Sequence, residues 1–145
     1  MIALIQRVTH ADVTVDGGVV GRIDAGMLAL IGVEPADTAD TATRMVERLL
    51  GYRIFEDADK RMNASLRDTG GGLLLVPQFT LVADTRKGTR PGFSTAAAPA
   101  QAEALFDRVC ERARAMHSPV AAGRFGAEMF VSLTNHGPVT FRLDA

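Results

Sequence analysis

Residues 11–33, "ADVTVDGGVVGRIDAGMLALIGV", decide the class of fold. Ala11 to Val15 and Val19 to Ile23 alternate apolar and polar side chains, the pattern of strands with one buried face. The Asp16-Gly17-Gly18 step between them is a hairpin signal. Met27 to Val33 is nearly all apolar, as in a strand covered on both faces. Upstream, "IALIQRV" (2–8) alternates in the same way, so the chain opens with strands in succession.

From Asp37 the period changes. Ala39, Ala42, Met45, Val46, Leu49 and Leu50 share one helical stripe, with Asp37 or Thr38 as cap and Gly51 as stop. Residues 56–72, "EDADKRMNASLRDTGGG", carry charges and a triple glycine without a period and read as a loop with a short turn of structure. "LLLVPQFTLVA" (73–83) returns to strand, and Pro77 within it implies an edge or a bulge because proline cannot donate to a ladder. After the irregular "DTRKGTRPGFSTAAAP" (84–99) comes a second helix with Ala102, Leu105, Phe106, Val109, Ala113 and Met116 toward the core. "AEMFVSLTN" (127–135) and "VTFRLDA" (139–145) close the chain as β structure. The expectation is one α+β domain over residues 1–145, without repeats or linkers.

Composition narrows the function. The chain has 145 residues, 47% hydrophobic and 23% charged, as in globular proteins. There is no leader-like N-terminal segment and no apolar run near the ~20 residues of a membrane span, so the expected location is cytoplasmic. Cys110 is the only cysteine, which excludes an internal disulfide and fits a small buried hydrophobe on a helix face. His10, His117 and His136 form no ligand-spaced pair, and no metal is expected. Sixteen Lys+Arg against seventeen Asp+Glu leave a formal charge of −1, so nucleic-acid contact must be local.

Four segments can carry chemistry, each beside a plainer reading. "VPQFTL" (76–81) sets a glutamine and a threonine beside a strand-breaking proline, which suits an oxyanion site or a strand with one polar position facing solvent. "TNHGPVT" (134–140) holds a Gly-Pro step that orients two carbonyls or is simply a turn. His136 has no nucleophile beside it and reads as a loop histidine. "TRKGTRPGF" (85–93) gathers Arg86, Lys87 and Arg90 into a phosphate patch or a solvated loop. In "GRFGAEM" (123–129), Phe125 and Met129 stack on a base or pack in the core.

Together and in this order, "LIQRV", "YRIFED", "RMNASL", "QFTL", "TRKGTRPGF", "GRFGAEM" and "NHGPVT" give a chain that resembles the D-aminoacyl-tRNA deacylase family along essentially its whole length. That family's motifs, Ser-Gln-Phe-Thr-Leu and Asn-x-Gly-Pro-Val-Thr, stand here as Pro77-Gln78-Phe79-Thr80-Leu81 and Asn135-His136-Gly137-Pro138-Val139-Thr140. The resemblance implies a mostly antiparallel, barrel-like sheet with two main helices packed on it. It implies hydrolysis of the ester joining a D-amino acid to tRNA, with removal of glycine mischarged on the alanine tRNA. No cofactor, membrane or DNA is implied, and the homodimer inserts the Gly137-Pro138 loop, its peptide cis, into the partner's active site as a chiral gate.

By the same resemblance Gln78 and the Phe79 N–H meet the ester carbonyl, Thr80 belongs to the site without covalent chemistry, and Phe125 and Met129 line the adenosine pocket. Arg7 fixes the Gly-Pro loop, Arg86, Lys87 and Arg90 meet acceptor-stem phosphates, and the substrate's 2′-hydroxyl replaces a protein base. Two positions depart from the family pattern. Pro77 stands where serine is usual and removes a hydroxyl and an N–H from the rim, and His136 stands where aspartate is common. Loss of turnover through Pro77 gives the alternative, a catalytically silent tRNA-binding module of the same fold.

Overall fold

The computed structural model describes residues 1–145. Its centre is one long strand, β1 (Ile2–Val15), which pairs antiparallel with three others. Along one edge its first half meets β3 (Gly26–Gly32) and its second half meets the hairpin partner β2 (Gly18–Ile23). Along the other edge it pairs with β8 (Phe130–Asp144) over almost its full length. Thus β8 has no neighbour on its outer side.

Antiparallel pairing dominates by length, as the alternating segments imply, but the far half of the sheet is parallel. β3 pairs parallel with β6 (Gly72–Pro77), and β6 with β7 (Val120–Ala122). The cause is the crossover helices: α1 (Ala39–Gly51) lies between β3 and β6, and α3 (Pro99–Met116) between β6 and β7. Burial on both faces explains why Met27–Ile31 and Leu73–Val76 read as continuous apolar runs. The sheet curls until β2 approaches β7. Gly21 permits that contact, since a Cβ there would stand 2.7 Å from the Ala122 carbonyl oxygen.

The two helices cover one face. Met45, Val46, Leu49 and Leu50 of α1 and Phe106, Val109 and Cys110 of α3 pack with Ala3, Ile5, Met27 and Leu73 in the larger core. A second cluster, including Val13, Ile23, Leu28 and Val76, fills the inside of the curl. Thr38 is the cap of α1: its hydroxyl accepts from Thr41 N–H at 3.3 Å, and Thr41 Oγ1 accepts from Thr38 N–H at 3.2 Å. Asp37 turns back instead, accepting from the Met1 ammonium at 2.6 Å and from Glu34 N–H at 2.7 Å. Ala39 and Met116, expected on the buried stripes, lie at helix ends and are exposed.

Two further expectations are corrected. Residues 56–72 hold a hairpin of β4 (Phe55–Glu56) and β5 (Met62–Ala64) followed by α2 (Leu66–Thr69), so this stretch is more ordered than a loop. The strand read over residues 73–83 stops at Pro77, and Phe79–Val82 winds into a 3₁₀ turn. No helix is long and apolar enough to cross a membrane.

Candidate active site

The 3₁₀ turn begins where β6 loses its neighbour. Gln78 N–H still donates to Ile31 O of β3 at 2.8 Å, while the last bond from the β7 side is Gly123 N–H to Leu75 O, also 2.8 Å. Alternation along the strand therefore turns the nitrogen of Pro77 toward the side β7 has left, so proline costs no ladder bond. Pro77 sits at a local edge of an otherwise interior strand. Beyond it the N–H groups of Phe79 and Thr80 find no backbone acceptor, as expected for the first turn of a helix. Gln78 Nε2 donates to Thr80 Oγ1, so this amide and hydroxyl hold one another.

A cleft of about 620 Å³ opens at this point. Pro77, Gln78 and Phe79 form one wall, Phe125 and Met129 from the segment after β7 form another, and Ala97, Pro99 and Ala102 near the start of α3 close it. Phe125 packs against the larger core and Met129 against the smaller one, so each is a core residue on one side and a cleft residue on the other. Gln78 is the only lining residue with a side-chain amide, hydroxyl or charge. The lining contains no Ser, Cys, Thr, His, Lys, Asp or Glu. Chemistry here must come from positioning and from fixed dipoles, since nothing in the wall titrates.

The other expected site residues lie outside the cleft. Between the pairs Gln6↔Thr140 and Val8↔Asn135, β1 has only Arg7 while β8 has residues 136–139, which bulge away from the sheet. The Gly137–Pro138 peptide in this bulge is cis, as is Ser118–Pro119, which the sequence did not flag. Gly137 has φ +142°, and a Cβ there would stand 2.6 Å from Val139 Cγ2, so glycine is required. Arg7, 6% exposed, braces the bulge: Nε donates to His136 O and Nη1 to Ile54 O, both at 2.9 Å. Asn135 braces the other end, accepting from Val139 N–H at 2.7 Å and donating to Val139 O at 3.2 Å. Gly137 and Pro138 are exposed and do not line the cleft of their own chain.

The basic segment is a closed loop. Asp84 and Gly92 exchange backbone hydrogen bonds of 2.8 and 2.9 Å at its base. Asp84 also grips Arg86 through both carboxylate oxygens, at 2.9 and 2.8 Å. That fork, with the Arg86 N–H, holds the Asp84 carboxyl far below the usual carboxylate range. Lys87 and Arg90 are exposed and make no ion pair, so they are the loop's free cations.

Phe93 was not singled out in the sequence, although it ends the basic stretch. Its ring lies 5.1 Å from that of Phe79, tilted by 48°, at the mouth of the cleft. An aromatic following a cluster of cations is the signal that points to it.

Two solved structures define the class of fold. One titled c-Myc DNA Unwinding Element Binding Protein superposes with a TM-score of 0.95 at 38% identity, covering 100% of this chain and 99% of its own. Another, titled as a probable eukaryotic D-amino acid tRNA deacylase, gives a TM-score of 0.86 at 22% identity over 99% and 98%, a likeness of fold alone. The profile described as D-Tyr-tRNA(Tyr) deacylase matches residues 4–144. D-aminoacyl-tRNA deacylase of Thioalkalivibrio sulfidiphilus is 62% identical over 99% of this chain and 97% of its own. That of Azotobacter vinelandii is 60% identical over the full length of both. The chain belongs to the D-Tyr-tRNA(Tyr) deacylase family.

Proposed function

We propose that this protein hydrolyses the ester of D-aminoacyl-tRNA, releasing free tRNA and the D-amino acid. The observation that carries the reading is the cleft itself, in which Gln78 and Phe79 face Phe125 and Met129 across an apolar space. Phe125 and Met129 receive the terminal adenine, and Gln78 with the free N–H of Phe79 receives the ester carbonyl oxygen. Water attacks the carbonyl carbon, the oxyanion forms against those donors, and collapse breaks the bond to the ribose 3′-oxygen, which takes up a proton. As the family resemblance implies, the substrate's own 2′-hydroxyl serves as the proton relay, and the lining, which has no titratable group, offers no competing base. Thr80 orients Gln78 and does not form an acyl intermediate. The reading uses no metal or cofactor.

Selection for the D-isomer requires a second copy of the chain. The Gly137–Pro138 bulge projects from its own sheet, and β8, which carries it, has a free edge with exposed Phe130 and Phe141. In the homodimer this bulge enters the partner's cleft and excludes an L side chain. Glycine has no side chain to exclude, so glycine mischarged on the alanine tRNA is also removed. Lys87 and Arg90, with Arg86 held by Asp84, meet acceptor-stem phosphates. The substrate places the protein in the cytoplasm.

The deciding experiment is deacylation of D-tyrosyl-, L-tyrosyl- and glycyl-tRNA against an enzyme-free control. The expected result is rapid loss of the D-ester and of the glycyl ester with the L-ester spared. Retained tRNA binding without acceleration of any ester would instead identify a silent tRNA-binding module, with Pro77 the first residue to revert to serine.

A further inference from the structure

Phe79 and Phe93 are the cleft's most open aromatic rings, 59% and 43% exposed. The two rings lean on one another at a 48° tilt, and both keep much of their surface exposed. Both are held by backbone. Phe79 starts the 3₁₀ turn, Gly92 before Phe93 is bonded twice to Asp84, and Phe93 O accepts from Ala96 N–H at 3.1 Å. Thr95 Oγ1 donates to Val82 O, which ties the segment after Phe93 to the same turn. The pair is therefore a pre-formed surface. Phe93 follows Lys87 and Arg90, the unpaired cations of the closed loop, a few residues further along the chain.

Resting on the proposed deacylase reading, we propose that the Phe79–Phe93 pair is a stacking subsite for the nucleobase on the 5′ side of the terminal adenosine, a pyrimidine in the C-C-A end of tRNAs. With the adenine against Phe125 and Met129 and the ester carbonyl at the Phe79 N–H, the adenosine 5′-phosphate must lead out of the cleft. The next base then emerges at the mouth, where two aromatic faces are open and free cations lie a few residues away along the loop. Single-stranded bases are held by such faces whatever their sequence, because every base offers a π surface. Cations alone would bind the phosphate and be indifferent to whether a base is attached.

The test compares three D-tyrosyl esters: of adenosine, of the dinucleotide CpA, and of the same dinucleotide lacking the cytosine base. The wild-type protein is expected to favour CpA over its abasic counterpart by about tenfold in kcat/KM. Phe93→Ala brings that ratio to about one, Phe93→Tyr preserves it, and Phe93→Leu, which fills the space without a π face, loses most of it. The leucine variant carries the comparison if the alanine variant fails to fold by circular dichroism. Equal cleavage of the two dinucleotides by the wild type, or a ratio that survives in Phe93→Leu, overturns the subsite. If no ester is cleaved faster than without protein, calorimetric binding of CpA against its abasic counterpart decides the subsite by the same ratio, and D-tyrosyl-tRNA assayed beside them decides the deacylase reading separately.

Discussion

The cleft takes its shape from apolar packing. Phe125 and Met129 are wedged against the two cores, and the wall residues of β6 sit in the middle of the sheet. The Gly137–Pro138 bulge lies on an edge strand, exposed, and is fixed by polar bonds from Arg7 and Asn135. On the proposed reading, the cleft is a finished space without a selective element, and the bulge is a rigid element without a space to select in. Such a division of labour makes sense when two subunits each bring one half. It also makes the halves separable by mutation.

The largest effect expected is from breaking the halves in different subunits. Gln78→Ala and Gly137→Ala should each lower turnover of D-tyrosyl-tRNA about a hundredfold, one through the carbonyl site and one because a Cβ forces the bulge off its course, so that it obstructs the partner's cleft to the D-ester as well as the L-ester. Refolding the two variants together should restore about a quarter of wild-type activity, because random pairing gives half heterodimers with one intact site each. No recovery would put bulge and cleft to work within one subunit and end the division.

Arg7→Ala sharpens the same contrast from the side of stability. It leaves the carbonyls of His136 and Ile54 without their donor and should cost about 2–3 kcal/mol in urea unfolding, with a fall in D-over-L selectivity. An unchanged midpoint would show that the bulge needs no brace. Replacing Lys87 and Arg90 together by alanine should raise KM for tRNA about tenfold at low salt while kcat holds, and should flatten the dependence of KM on salt. If kcat falls instead, the loop shapes the cleft rather than meeting the RNA.

The smallest effect concerns a group belonging to neither half. Burial in the helix interface pushes the Cys110 thiol up to about 11 from an ordinary 9.0. The raised value means that its stabilising contribution is complete below pH 9 and is lost as pH rises toward 11. Alkylation of the native protein at pH 8 should therefore track global unfolding, and a fast stoichiometric reaction would show an open thiol.

What the sequence made legible follows the physics of each region. The strands before Val33 and both long helices announced themselves because their faces bury periodically. Parallel pairing was hidden, because whether two apolar strands run together depends on what crosses between them. The 3₁₀ turn was hidden too, since "QFTLVA" (78–83) keeps an apolar pattern that suits a strand, and what ends β6 at Pro77 is the departure of β7, which no local pattern shows. Within the site, Gln78, Phe79, Phe125 and Met129 were nominated by family motif, and the cleft brings them together. The share of Ala97, Pro99 and Ala102 in that cleft was not legible, because small apolar residues line a wall only by virtue of where α3 starts.

A wall without serine, cysteine, lysine or acidic side chains also has consequences for inhibition. Reagents that trap hydrolases by acylating, phosphonylating or alkylating a nucleophile have nothing to capture in that wall, and the nearby hydroxyl of Thr80 lies outside the lining. If the cleft takes the aminoacylated adenosine as proposed, effective blockers will have to be mimics: adenosine carrying a D-aminoacyl amide in place of the ester, held by shape and hydrogen bonds and reversible by dilution.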